Sequence, residues 1–84
     1  MATHLAPFRD YTIVQGRESV TKRGRSPEDV AKRYALWYIR NHHATINPRH
    51  VRAYRIRGDQ YRIEHRSGQV WKSLPASEFA VQGI

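Results

Sequence analysis

Between positions 49 and 72 the chain places seven basic side chains against two acidic ones, and Arg52, Arg55, Arg57, Arg62, Arg66 and Lys72 supply most of that excess. A guanidinium carries forked donors that pair with phosphate or carboxylate, so a run of this kind is equipped to hold an anionic partner. Trp71 falls within the same stretch and offers a flat surface on which a base could stack. The rest of the chain is poorly equipped for catalysis. It has no cysteine, which excludes thiolate zinc sites, iron–sulfur clusters and cysteine nucleophiles. There is no Gly-x-Ser-x-Gly elbow and no glycine-rich phosphate loop, and the histidines, His42, His43 and His50 among them, lack a metal-ligand spacing. No catalytic residue, metal or cofactor is expected.

The whole chain has a formal charge of +8 over 84 residues, with 39% hydrophobic residues, two Trp, five Tyr and two Phe. This is one small domain spanning 1–84, with an aromatic core and a strong positive field, too short for a dinucleotide-binding fold or a β/α barrel. The segments 1–8 and 76–84 read as flexible or loosely docked. The start of the chain lacks a signal-peptide pattern, and the longest apolar run, Tyr34 to Ile39, falls far short of a membrane span, so a cytoplasmic location is expected.

Several elements must position these side chains. Tyr11–Gln15 and Ser19–Arg23 read as a hairpin turning at Gly16-Arg17, with Ile13 opposite Val20 on an apolar face and Thr12 opposite Thr21 on a polar one. Ser26-Pro27-Glu28-Asp29 then opens a helix, because Ser caps, Pro fits the first turn and carboxylates suit the positive end. Val30, Ala31, Tyr34, Ala35, Trp37 and Tyr38 form its apolar face, with Trp37 in the core, while Lys32, Arg33 and Arg40 form a secondary basic face.

Residues 51–72 read as a meander turning at Gly58-Asp59 and Ser67-Gly68. Pairing across the first turn sets Ile56 against Tyr61 and Tyr54 against Ile63 in the core. It sets Arg55 against Arg62 on the other face, flanked by Arg57 and Arg66. Like charges directly opposed are destabilising, and an anionic ligand would relieve them. Trp71 depends on the next loop. Two residues turn it outward among the arginines, and three, with Gly68 at a bulge, turn it inward against Ile63; its bulk favours the core. The tail from Ala76 reads as a helical turn or short edge segment docked by Phe79 and Val81. The resulting order is ββαβββ, an α+β domain with an antiparallel sheet and one helix across one face.

Two resemblances bear on function. The stretch Tyr54-Arg55-Ile56-Arg57-Gly58-Asp59-Gln60-Tyr61-Arg62-Ile63 resembles the central hairpin of RelE/ParE toxins, which implies RNA cleavage with Arg55, Arg62, Tyr61 and His65 in phosphate binding and acid/base work. The order of elements along the chain is similar to that of small phage-encoded inhibitors of the anti-CRISPR or host-takeover type. That resemblance implies a non-enzymatic protein that occupies a surface of a larger host machine.

The leading expectation is a small basic, non-catalytic binding protein that acts through the Arg-rich meander on nucleic acid or a nucleoprotein complex. A phage-type inhibitor gripping an acidic protein surface is the alternative, and an RNA-cleaving toxin a lower one. On the first two readings Arg55→Glu with Arg62→Glu abolishes binding without unfolding the domain. The chain is expected to be a monomer, or a homodimer formed through an edge strand.

Overall fold

Residues 7–84 are described by the computed structural model, so the expected looseness of residues 1–8 falls mainly on positions outside the described residues. The first hairpin forms as its sequence dictates. Strands β1 (Arg9–Gln15) and β2 (Glu18–Gly24) pair antiparallel, with Ile13 opposite Val20 and Thr12 opposite Thr21. Gly16 takes φ +60 in the turn, a conformation that costs a residue with a Cβ. At the far end of β2, Gly24 is buried against the start of the helix. A Cβ there would collide with the Val30 side chain and sit 2.9 Å from Asp29 Oδ2.

Helix α1 (Pro27–His42) begins where its capping residues predict. Ser26 Oγ accepts from the Asp29 N–H at 3.1 Å, and the Asp29 carboxylate reaches back to accept from the Arg25 N–H at 3.0 Å. The first bond satisfies a donor that the first helical turn leaves free, and the second fixes the chain just before the cap. The helix buries Val30, Ala31, Tyr34, Ala35 and Ile39 against the sheet. Trp37, expected in the core, is instead 49% exposed. At roughly 100° per residue it sits beyond Val30 at one margin of the apolar face, on the side where only β2 could cover it. Ile39, at the other margin, is fully buried in its place.

After a short 3-10 turn (Pro48–His50) come β3 (Val51–Arg57), β4 (Gln60–Ser67), β5 (Val70–Ser73) and β6 (Phe79–Gly83). The sheet runs in the order β2-β1-β6-β4-β3, all neighbours antiparallel, and β5 also pairs with β4. The α+β class and the single helix across one face hold, with one strand more than expected. That strand, β6, corrects the reading of 76–84. The tail is an interior strand, with Val81 opposite Ile13 and Phe79 opposite Tyr61, and both Phe79 and Val81 are buried. Phe79 lies between Tyr61, at 5.7 Å between ring centroids, and Tyr34, at 4.8 Å.

Two strands share one edge of β4. Gln60 and Tyr61 pair with β6, whereas Glu64 to Ser67 pair with β5, which leaves Ile63 at the gap. Ser77 closes it. The Ile63 N–H donates to Ser77 Oγ at 3.1 Å, the Ile63 carbonyl accepts from the Leu74 N–H at 2.9 Å, and Ser77 Oγ donates to the Leu74 carbonyl at 2.7 Å. Ala76, at φ 57, makes the turn that brings Ser77 inward. Among the described residues no helix is long and apolar enough to cross a membrane.

Candidate functional site

The register of β3 on β4 decides where the basic side chains go. Arg57 faces Gln60 across the turn as expected, but Arg55 pairs with Tyr61, Tyr54 with Arg62, Ala53 with Ile63 and Arg52 with Glu64. The shift between Arg55 and Arg57 leaves Ile56 as the extra residue of a β-bulge. One residue of slip exchanges the faces of everything upstream. The expected pairs Ile56–Tyr61, Tyr54–Ile63 and Arg55–Arg62 therefore do not form. The reason lies under the helix, where β3 presents Val51 and Ala53 to the core. Residues of that size let α1 lie close; Tyr54 in the same place would hold it away.

Arg55 consequently belongs to the helix side. It donates to the Tyr61 hydroxyl from Nη2 at 2.8 Å and from Nε at 3.2 Å, and its Nη2 also meets Glu28 Oε1 at 2.7 Å. It ties the first turn of α1 to the sheet. The hydrogen bond with Tyr61 raises the Arg55 pKa further, so its charge is fixed. The four arginines expected on one face are thus divided, and a double charge reversal at Arg55 and Arg62 would disturb the fold as well as the surface.

The helix-free face carries a different cluster. Glu64 is buried there, between Arg52 and Arg62. Arg52 donates to Glu64 Oε1 from Nε at 2.8 Å and lies within 2.7 Å of it through Nη2; Arg62 Nε donates to Glu64 Oε2 at 2.8 Å. Burial alone would raise the Glu64 pKa. The hydrogen bonds from the two guanidiniums, with their charge, outweigh it and hold this carboxyl below the ordinary glutamate value.

Aromatic rings interleave with these cations. The Arg52 guanidinium lies 4.1 Å from the centroid of Trp71 and 5.5 Å from that of Tyr54, and Arg62 lies 4.7 Å from Tyr54. Trp71 is half-buried and turned outward, opposite Arg66, because the loop before it is the two residues Gly68-Gln69, with Gly68 at φ +64. The expectation of a core tryptophan is corrected on that ground. The indole remains substantially sheltered because Arg52 covers it.

Of the other basic residues, Arg57, opposite Gln60, keeps to the Arg62 side of the sheet but at its end beside the Gly58-Asp59 turn, whereas Lys72 pairs with His65 on the alternate face of β5 from Trp71. Lys32, Arg33 and Arg40 are exposed along α1, with Arg33 paired to Asp29 at 3.3 Å. The residues that the toxin resemblance implies are split between faces. Tyr61 is buried on the helix side with Arg55, whereas Arg62 is on the helix-free side.

Arg52, Arg62 and Arg66 with Glu64 leave two positive charges on a face that also exposes Tyr54 and part of Trp71. Such a surface can stack a planar group and pair with an anion beside it. Tyr54, expected in the core, joins this cluster because the slip turns it outward opposite Arg62, and Glu64, which the sequence offers as the nearby counter-charge to these arginines, sits at its centre. The isolated Glu64 between Arg62 and Arg66 was the available sign, because a one-residue slip places Arg52 directly across from it. No protein-family model, curated protein or solved structure matches the chain.

Proposed function

We propose that the protein is a non-catalytic binding module that takes single-stranded nucleic acid on the helix-free face of its sheet. The observation that carries this reading is the alternation of Tyr54 and Trp71 with Arg52, Arg62 and Arg66 on one exposed surface. Unpaired bases stack on aromatic rings and guanidinium planes, and the arginine donors left free reach adjacent phosphates. Glu64 holds two of those guanidiniums in place before any ligand arrives, which lowers the ordering cost of binding. The overall charge of +8 supports attraction to a polyanion over a longer range.

Fluorescence anisotropy with labelled single-stranded DNA, single-stranded RNA and duplex DNA tests the proposal. Single strands should bind more tightly than duplex. Two or three phosphate contacts should weaken binding about tenfold between roughly 50 and 200 mM salt. Trp71→Ala should weaken it at least about fivefold, the loss of one stacked base. Absence of single-strand binding at low salt, or wild-type affinity in Trp71→Ala, would overturn the assignment. A protein partner retained through Arg62 and Arg66 after nuclease treatment would instead favour the inhibitor reading, in which the same side chains meet carboxylates.

A further inference from the structure

The two ends of the main strand path, β3 and β2, differ in what they could pair with. β3 is bulged and carries Arg52, Arg55 and Arg57 with no acidic residue, so a second copy of itself would repel it. β2 is unbulged, exposed along its length from Glu18 to Arg23, and of mixed charge. The helix does not close over it. A groove of about 450 Å³ lies between β2 and α1, with Ile13, Val20, Val30, Tyr34 and Trp37 among its lining residues. Trp37 stacks on Tyr34 at 5.6 Å yet remains 49% exposed, and Val20 is 42% exposed.

Hairpin geometry restricts how β2 can be extended. In a two-residue hairpin the residues flanking the loop exchange hydrogen bonds, here Gln15 and Glu18. Val20 and Lys22, in step with Glu18, also turn their backbone groups towards β1. Ser19, Thr21 and Arg23 turn theirs outward. An antiparallel copy of β2 must therefore match an outward residue with an outward residue. One such register centres Val20 on Val20 of the second copy, sets Ser19 against Thr21, and brings Glu18 opposite Lys22 on both sides of the axis. Moving the centre to Ser19 or Thr21 loses both charge pairs.

We propose that the chain forms a two-fold symmetric dimer in which β2 pairs antiparallel with β2 of a second copy, centred on Val20. The strand is self-complementary, as a two-fold interface requires: Glu18 and Lys22 are equidistant from Val20, of opposite sign, and on the same side of the sheet. Val20 meets its twin in the closer, non-hydrogen-bonded type of pair, and the apolar groove of each copy opens towards the axis. Arg23, which approaches the turn residue Arg17 of the other copy, is already paired with Asp10 of its own chain at 3.2 Å. The result is one continuous sheet with both helices on the same side.

Sedimentation velocity across a range of protein concentrations tests this, with circular dichroism confirming that each variant is folded. The wild type should approach twice the 9.9 kDa chain mass. Glu18→Lys and Lys22→Glu each oppose like charges at two places and should raise the dimer dissociation constant about tenfold or more. Combining both changes in one chain restores opposite charges and should recover the dimer. Mixing the two single variants should recover it as a heterodimer. A wild type that stays monomeric at the highest concentration overturns the proposal, as does a dimer that neither single variant weakens or that neither the combination nor the mixture rescues.

Discussion

Arg52 meets one oxygen of Glu64 through two nitrogens and leaves the other oxygen to Arg62, so a single buried carboxylate fixes two guanidiniums from neighbouring strands. This makes Glu64 the organiser of the arginines on the helix-free face, although its own charge opposes an anionic ligand.

Glu64→Gln should therefore lower stability by about 1–3 kcal/mol, the range for breaking buried charge-assisted hydrogen bonds. Urea titration measures it. The carboxyl's pKa is lower folded than unfolded, so its contribution is fully present above the ordinary glutamate value of roughly 4.3 and is lost as pH falls through the depressed folded value. Wild-type stability should fall over that acid range, and the fall should be shallower in Glu64→Gln. An unchanged pH dependence would show that Glu64 is not linked to folding in this way.

Arg55 and Arg62, close in sequence, should separate in their effects. Arg55→Ala removes the tie among Tyr61, Glu28 and the sheet, and should lower Tm while leaving single-strand affinity within about twofold of wild type. Arg62→Ala removes one of Glu64's two partners and a cation beside Tyr54, and should weaken affinity several-fold. Thermal melts and the anisotropy titration, run on both variants, decide it. Equal losses of affinity would place Arg55 in the ligand surface after all.

Ser77→Ala should be costly for a substitution that removes one oxygen. It leaves the buried Ile63 N–H without its acceptor at the point where β4 passes from β6 to β5. The expected loss is about 1–3 kcal/mol. In a domain of this size that is a fall in Tm of at least about 4 °C. Ser77→Thr retains the hydroxyl and should test whether space at the site also matters.

Local signals in the chain carried most of the fold. The Gly16-Arg17 turn fixed the first register, and Ser26 with Asp29 fixed the helix start, because both depend on contacts within a few residues. The β3–β4 register was not local. It depends on the need for Val51 and Ala53 beneath α1, a condition visible only once the helix is docked. A hint was present in the opposition of Arg55 and Arg62, which a slip of one residue removes without any ligand. Trp37 escaped the core because the margin of a helix face is buried or exposed according to the reach of a distant strand. The alternation Phe79-Ala80-Val81 was too short to distinguish an interior strand from an edge.

The position of β6 also sets an order of assembly. β1 with β2, and β3 with β4 and β5, are pairs of chain neighbours that can zip up from their own turns. β6, the last of the six strands to leave the ribosome, is the piece that joins them, with Val81 against Ile13 far back in the chain. Until it arrives the sheet is two separate halves with only α1 lying across both. The barrier to folding should therefore lie in closing that long loop, and this small protein should complete its fold only after β6 has been synthesised.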